Sequence, residues 1–351
     1  MNETMLARLG FVTIITVIVL LLKNVTVPSL AFISVATASS AVLVLTGTFS
    51  LQEMGDFIAE GVKGVHATAA LFIFSVLFFG IMTDVGMFDK IIGALMKKVG
   101  HNVIGVTLMT SIIAMIAHLD GAGAVTDVEI TAGGNVEEQT EAREYARPKL
   151  FWFNLILTLA VIVCLIFVKV PSYYVFMLGC AIALLVNFRG ASLQNKIIKS
   201  HAGPAIMMSS TILCAGVFLG VMEKTGIMNN MATVLAEFVP MSMGRFLPLI
   251  IGVLAVPLTL MFDTDSFFFG LMPVLIEIAG NFGVLPAHIA IVMVVCRNCA
   301  TFISPVVPAT FLGIGLAEVE IKDHIKNCFF WIWGVSIVCL LAGLLLGVIK
   351  I

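Results

Sequence analysis

The sequence has few charged residues. Lys, Arg, Asp and Glu make up 11% of its 351 residues and hydrophobic residues make up 60%, whereas an average soluble domain has about 25% charged residues. This composition excludes an ordinary soluble protein. Basic residues are not in excess either, because 19 of them stand against 21 acidic residues. A nucleic-acid partner is therefore not expected.

The sequence also lacks the motifs of an enzyme. It contains no nucleophile paired with a base, no phosphate-binding loop and no complete set of metal ligands. Its seven cysteines lie in apolar segments, where a thiol behaves as a small hydrophobic group. Cys296 and Cys299 have C-x-x-C spacing, but no second pair of Cys or His residues accompanies them. We therefore expect neither catalysis nor a cysteine metal centre.

Long apolar runs are abundant instead. A helix needs about 17 to 25 apolar residues to cross the hydrocarbon core of a bilayer. Such runs cover residues 5–22, 28–46, 66–83, 151–168, 171–187, 203–222 and 327–349. No small-residue cleavage site follows the first run, so we interpret it as an anchor rather than a signal peptide. The sequence predicts an all-α integral membrane protein.

Two short polar segments interrupt the apolar sequence and place carboxylates where hydrocarbon is expected. The first contains Asp120 flanked by Gly121 and Gly123, and the second contains Asp263 and Asp265. An ionisable group at membrane depth costs at least about 2.5 kcal/mol, so it usually faces a partner, a cavity or a transported ion. Both segments are therefore candidate ion or substrate sites.

These segments stand at matching places in an internal repeat. Residues 80–88 resemble residues 220–228 at an offset of 140, and Asp120 precedes Asp263 by 143 positions. Inverted repeats that hold a ligand near the midplane with interrupted helices are common in secondary transporters. We expect two inverted repeats, each with spans, a re-entrant helical hairpin and a broken helix.

The first repeat is shorter than the second. The chain continues for 86 residues after Asp265, whereas 28 residues separate Asp120 from Pro148, where the second repeat opens. About 60 residues are therefore missing from the first repeat. The polar, acidic stretch that follows is expected to be a loop. We divide the chain into a truncated first repeat (1–126), a cytoplasmic linker (127–147) and a second repeat (148–351).

The second polar segment has the features of a hairpin tip. A helix over residues 249–261 would be about 20 Å long and would end near the middle of the membrane. Its free carbonyls suit a cation, whereas free N–H groups of a helix starting near Phe267 suit an anion. Asp265, with the hydroxyls of Thr264 and Ser266 beside it, supplies oxygen ligands for a small cation or a titrating proton. Capping of the second arm is the structural alternative.

Arg297 is the only basic residue assigned to the membrane interior. A guanidinium there can bind a carboxylate with two hydrogen bonds, or it can pair with Asp263 or Asp265. Asn298, Thr301 and Ser304 follow it and are candidate hydrogen-bond donors to a substrate.

The distribution of basic residues predicts the orientation. If the N-terminus is outside and both polar segments re-enter, most Lys and Arg residues fall in cytoplasmic loops, as the positive-inside rule requires. Lys90, Arg147, Lys149 and Lys196 then lie on the cytoplasmic side, and Lys169 lies on the outer side.

Four segments in order resemble the metal–citrate:proton symporters, the CitMHS family of the ion transporter superfamily. They are Leu119–Gly121 with Gly123 and Thr126, residues 147–154 (RPKLFWFN), residues 265–275 (DSFFFGLMPVL) and residues 304–310 (SPVVPAT). The resemblance covers nearly the whole chain apart from the missing block.

The chain departs from the family pattern at three places. Ala122 stands where the family usually has a second acidic residue. Residues 297–301 (RNCAT) replace a run that is commonly Gly-Gln-Pro-Val-His. The unwound helix of the family's first repeat would fall in the missing block.

The resemblance implies a bacterial inner-membrane carrier that takes up citrate, or a similar tricarboxylate, complexed with Mg²⁺ or Ca²⁺ and driven by protons. No permanently bound cofactor is implied, and a homodimer is implied by analogy. Two alternatives remain open: a sodium-coupled organic-anion carrier or antiporter of the same architecture, and an inactive remnant left by the internal deletion.

Overall fold

We describe a computed structural model of the chain, which covers residues 2–23, 25–88, 90–91, 145–236, 241–260, 264, 266–304 and 321–350. Within these ranges the protein is helical and contains no strand. The helices are α1 (Glu3–Leu22), α2 (Pro28–Leu45), α3 (Leu51–Asp84), α4 (Phe151–Phe167), α5 (Ser172–Asn187), α6 (Ala191–Lys224), α7 (Ile227–Ala236), α8 (Met241–Gly244), α9 (Leu247–Thr259), α10 (Met272–Gly280), α11 (Pro286–Cys299) and α12 (Ile321–Leu345). Short 3₁₀ segments cover Pro148–Leu150 and Ala300–Ile303, and Ser266–Leu271 is π-helical.

Six of these helices are long and apolar enough to cross a membrane: α1, α2, α3, α4 with the 3₁₀ turn before it, α6 and α12. Shorter apolar helices cover Ser172–Asn187, Leu247–Thr259, Phe267–Gly280 and Pro286–Cys299. The prediction of an all-α integral membrane protein is confirmed. The inverted-repeat arrangement and the division of the chain at residues 126 and 147 stay predictions.

The helices extend toward their N-termini beyond the predicted spans at 66–83 and 203–222. The helices that contain them begin at Leu51 and Ala191, and each is 34 residues long. The additional turns bear exposed charged side chains such as Glu53 and Lys199. Hydropathy detects the apolar part of a helix, whereas backbone hydrogen bonding continues through polar residues of good helix propensity. The apolar runs therefore gave the membrane segments rather than the complete helices.

The repeat offset also appears in the helix ends. Helices α3 and α6 begin and end 140 positions apart. Each is followed by a glycine with positive φ, Gly86 at +73° and Gly226 at +72°. A left-handed residue is a common helix terminator, and glycine adopts this conformation without a Cβ clash. The matching residues of the two segments thus form matching local structure.

The chain divides into two compact units. The first contains residues 1–64 and 213–351, and the second contains residues 65–212. In the first unit, Phe32 of α2 packs against Phe218 of α6 and Phe269 of the π-helical segment, with ring centroids 5.5 and 5.7 Å apart. The buried hydroxyls of Thr13 and Ser39 are 2.7 Å apart and link α1 to α2.

Glycines set a close antiparallel crossing of α3 and α6 in the first unit. A Cβ on Gly61 would lie 2.2 Å from the carbonyl oxygen of Gly216, and a Cβ on Gly220 would lie 2.5 Å from the carbonyl oxygen of Phe57. Gly216 and Gly220 form a G-x-x-x-G pattern, which allows helix backbones in a membrane to approach closely. Lys224 and Glu60 form an ion pair of 2.8 Å near the same crossing.

In the second unit, polar side chains join the helices. Asn154 of α4 and Asn187 of α5 are buried, and each amide donates to the other's oxygen, at 3.0 and 2.8 Å. His201 of α6 contacts Asp84 of α3 at 2.8 Å, and its ring packs against Gly80. Such hydrogen bonds stabilise helix association where the hydrophobic effect does not distinguish lipid from protein.

Candidate functional site

The candidate site lies in the first unit, where α9 ends, the π-helical segment begins and α11 ends. Helix α9 is 13 residues long and has Pro257 inside its last turns. Proline has no backbone N–H, so the α-helical donor for the Val253 carbonyl, four residues earlier, is missing. The indole of Trp333 on α12 donates to this carbonyl at 2.8 Å. A neighbouring helix thereby satisfies a backbone group that has no water partner in hydrocarbon.

The end of α9 is satisfied in a similar way. Thr259 is the last residue of the helix, and its carbonyl accepts a hydrogen bond of 2.8 Å from the hydroxyl of Ser304. Ser304 is completely buried. The last carbonyls of any helix lack an intrahelical donor. The segment after α11 therefore fixes the position of the α9 end, which the sequence predicts as the tip of a hairpin arm.

Arg297 is the charged centre of the site. It lies in the last turn of α11 and is 3% exposed. Its guanidinium donates to the Thr264 hydroxyl at 2.5 Å and to the Thr301 hydroxyl at 3.4 Å. The guanidinium carbon also lies 5.6 Å from the centre of the Phe268 ring. A cation near the end of a helix interacts favourably with the helix dipole, and an aromatic face stabilises it further.

This arrangement is suited to a carboxylate. A guanidinium supplies up to five donors in a rigid plane, and threonine hydroxyls can either donate or accept. In a water-poor interior the attraction between a guanidinium and a carboxylate is stronger than at a surface. Within the described ranges no group of three or more His, Cys, Asp or Glu residues is placed to hold a metal ion.

The sequence-predicted residues differ in where the structure places them. The structure brings Arg297, Thr264 and Thr301 together. Ser304 binds a backbone carbonyl close by, whereas Asn298 is exposed. For Ser266 only the backbone is described, as the first residue of the π-helical segment. The predicted ion-site residues Asp120, Gly121, Gly123, Asp263 and Asp265 lie outside the described residues.

Sequence reasoning missed two contributors. Phe268 is not among the predicted site residues, but its ring lies beside the guanidinium. Trp333 was not singled out, although it holds the α9 backbone. Pro257 is the signal that a carbonyl loses its donor, but nothing in the sequence indicates which side chain replaces that donor.

Three proteins of Bacillus subtilis (strain 168) are similar to the chain. A citrate transporter is 28% identical, and an Mg²⁺/citrate complex secondary transporter is 27% identical. A third, named Uncharacterized transporter YraO, is 24% identical. Each similarity covers 99% of this chain and 100% of the relative. No family model matches the chain.

The length of the alignment bears on the missing block. The similarity to the citrate transporter extends over 431 positions, whereas the chain has 351 residues, so at least 80 positions have no counterpart here. This number exceeds the about 60 residues expected to be missing, and an internal deletion in the first repeat stays a prediction. Both relatives named for citrate match the chain from end to end, and the helices are those of a membrane protein. The chain is thus a multi-pass membrane transporter, not an enzyme, and its resemblance to the metal–citrate symporters is confirmed along its whole length.

Proposed function

We propose that the protein takes up citrate, or a similar tricarboxylate, as a complex with a divalent metal. The observation that carries this proposal is the cationic centre at Arg297, which is buried in an apolar helical unit and contacts the hydroxyls of Thr264 and Thr301. The name of the Mg²⁺/citrate relative supports a metal complex as the substrate. Together they favour an anionic substrate whose charge is partly neutralised before it enters.

Electrostatics explains why a metal complex suits this site. Citrate bears about three negative charges at neutral pH, and an uncompensated charge in a low-dielectric interior costs far more than a neutral group. A bound Mg²⁺ or Ca²⁺ removes two of these charges. One guanidinium can then balance the remaining carboxylate. The metal belongs to the transported substrate in this proposal.

Proton entry would drive the uptake across the bacterial inner membrane. Asp265, Asp263 and Asp120 are the proposed proton or cation sites, with Gly121 and Gly123 allowing close approach of the backbone. Thr264 and Ser266 would supply hydroxyl ligands at the hairpin tip. Alternating access would expose this site first to one side and then to the other, with the protein acting as a homodimer.

Uptake of labelled citrate into proteoliposomes tests this proposal. We expect uptake that requires Mg²⁺ or Ca²⁺ and an inward proton gradient, and that chelation of the metal abolishes. Arg297→Gln should lower uptake about 10- to 100-fold at low substrate concentration, because a hydrogen bond between charged groups contributes about 1.5–3 kcal/mol. Arg297→Lys keeps the charge but loses the planar fork, so it should restore uptake only partly.

Arg245→Gln is the matched control. Arg245 lies in the same unit and also stacks on an aromatic ring, Phe246 at 4.8 Å, but it is exposed. We expect this variant to transport normally. Uptake that ignores the metal and the proton gradient, and instead stops when sodium is replaced by choline, would favour the sodium-coupled alternative. A folded protein that neither binds nor transports citrate would identify an inactive remnant.

A further inference from the structure

Four helix ends meet at one end of the second unit. Helix α3 ends at Asp84 and α5 ends at Asn187, while α4 begins at Phe151 and α6 begins at Ala191. Arg147 joins these ends, because its backbone N–H donates to the Val85 carbonyl at 3.0 Å and its Nε donates to the Asn187 carbonyl at 3.3 Å. The flanking segments of four helices are therefore gathered on one face.

This end of the unit is strongly basic. Its cations form a group that we call the basic collar: Lys90, Arg147, Lys149, Arg189, Lys196 and Lys199. Asp84 is the only acidic residue of the second unit within the described ranges, and it is paired with His201. Lys169, between α4 and α5, lies at the opposite end. The basic charge is thus concentrated on one face.

Three collar cations lie over aromatic rings. Lys90 Nζ is 4.3 Å from the centre of the Phe151 ring, Lys196 Nζ is 5.2 Å from that of Tyr145, and the Arg147 guanidinium is 5.5 Å from that of Phe188. An aromatic face attracts a cation and holds its side chain in a limited set of conformations. These contacts leave the cationic heads gathered above a layer of rings rather than dispersed in water.

An apolar stripe begins next to the collar. It runs along α4 at helical spacing and consists of Trp152, Ile156, Leu159, Val163 and Ile166, each at least half exposed. Trp152 is 69% exposed and packs edge-on against Phe151, the ring below Lys90. Exposed tryptophans concentrate at the level of the lipid headgroups. The collar therefore lies at headgroup level, and the stripe lies at the level of the acyl chains.

We infer that the basic collar binds the phosphate headgroup of an anionic phospholipid whose acyl chains lie along the α4 stripe. Basic groups between helix ends, beside exposed apolar surface, match both parts of such a lipid. Tyr145 is 7% exposed, and its hydroxyl has no hydrogen-bond partner within the described part of the chain. A phosphate oxygen is an acceptor of the kind that this hydroxyl lacks.

A free anion is a weaker match. Inorganic phosphate or citrate could bind the cations of the basic collar, but neither would cover the exposed apolar stripe of α4. The predicted orientation places the collar on the cytoplasmic side, where anionic lipids concentrate in the inner leaflet. This lipid site lies in the second unit and does not depend on the function proposed for Arg297.

Thermal unfolding of the purified full chain in neutral detergent tests the inference. Phosphatidylglycerol or phosphatidylcholine is added to the micelles at equal concentration, and inorganic phosphate is added alone in a parallel series. The collar variant combines Lys149→Gln, Arg189→Gln and Lys196→Gln, three exposed positions. Lys169→Gln, at the opposite end of the unit, is the control. Lys149→Gln changes a single residue of the basic collar and can be compared with Lys169→Gln if the triple variant does not fold.

We expect phosphatidylglycerol to raise the melting temperature of the wild type and of Lys169→Gln by several degrees. The collar variant should bind this lipid about 100-fold more weakly, since each basic side chain at a membrane surface contributes about five-fold. Lys149→Gln should lose about five-fold. An equal shift with phosphatidylcholine or with inorganic phosphate would overturn the inference, as would an unchanged affinity in the collar variants.

Discussion

The hydrogen bond from Trp333 to the Val253 carbonyl should contribute to the stability of the protein, because Pro257 leaves this carbonyl without an α-helical donor. Replacing Trp333 by Phe removes the indole N–H and leaves the carbonyl without its side-chain donor. An unsatisfied buried polar group costs about 1–3 kcal/mol. The smaller ring adds a packing loss on the order of 1 kcal/mol. We therefore expect Trp333→Phe to lower the free energy of unfolding by about 2–4 kcal/mol.

A second substitution separates these two contributions. Pro257→Ala restores the N–H that donates to residue 253 in an α-helix, so the carbonyl regains a partner without Trp333. In the Pro257→Ala background, Trp333→Phe should cost only the packing loss. The double-mutant cycle should then give a coupling of about 1–3 kcal/mol, the contribution of the carbonyl alone.

The assay is unfolding by sodium dodecyl sulphate in mixed micelles, followed by circular dichroism so that tryptophan fluorescence is not the signal. Trp331→Phe is the control, because Trp331 is two residues away on the same helix and 80% exposed. It should change stability little. A cost for Trp333→Phe that is the same with proline and with alanine at 257 would refute the reasoning, since no coupling would remain.

Two further predictions concern helix packing. Gly220→Ala should destabilise the protein by about 2 kcal/mol or more, because the new Cβ would clash with the backbone of α3. Gly55→Ala is the control: its Cβ would have open space, so this change should be neutral or stabilising through helix propensity. Equal effects of the two changes in the same unfolding assay would contradict the close crossing. Asn154→Ala should cost about 1–2 kcal/mol because the side-chain oxygen of Asn187 loses its donor, while the Asn187 amide still donates to the Ala183 carbonyl at 2.9 Å. The double variant Asn154→Ala/Asn187→Ala should cost less than the two single changes together. Strictly additive costs would show that the two amides do not depend on each other.

The sequence predicted the membrane helices well, because a segment that contacts lipid must be apolar. Apolar runs located the membrane helices, and the predicted arm at 249–261 is α9, which begins and ends two residues earlier, with Pro248 in its first turn. The sequence did not anticipate the π-helical turn before α10, because an expanded helical turn depends on packing against neighbours rather than on local propensity.

The structure agrees with the predicted burial of Arg297, whereas the residues around it were harder to predict. A buried arginine is unusual enough to be recognised, and Thr301 lies four residues after it, on the same helical face. Asn298 is adjacent in sequence, but each helical residue is rotated by about 100°, and its side chain is exposed. Ser304 binds a helix-end carbonyl, a contact between distant parts of the chain that no local pattern contains.

The length of α3 and α6 has a consequence for movement along the membrane normal. Each helix is 34 residues long, about 51 Å, whereas a bilayer core is about 30 Å thick. The excess bears charged residues such as Lys63 and Lys199. Sinking either helix by one turn would draw such charges into hydrocarbon, at about 2.5–3.5 kcal/mol each. The charged ends of these two helices therefore oppose displacement of the helices along the membrane normal.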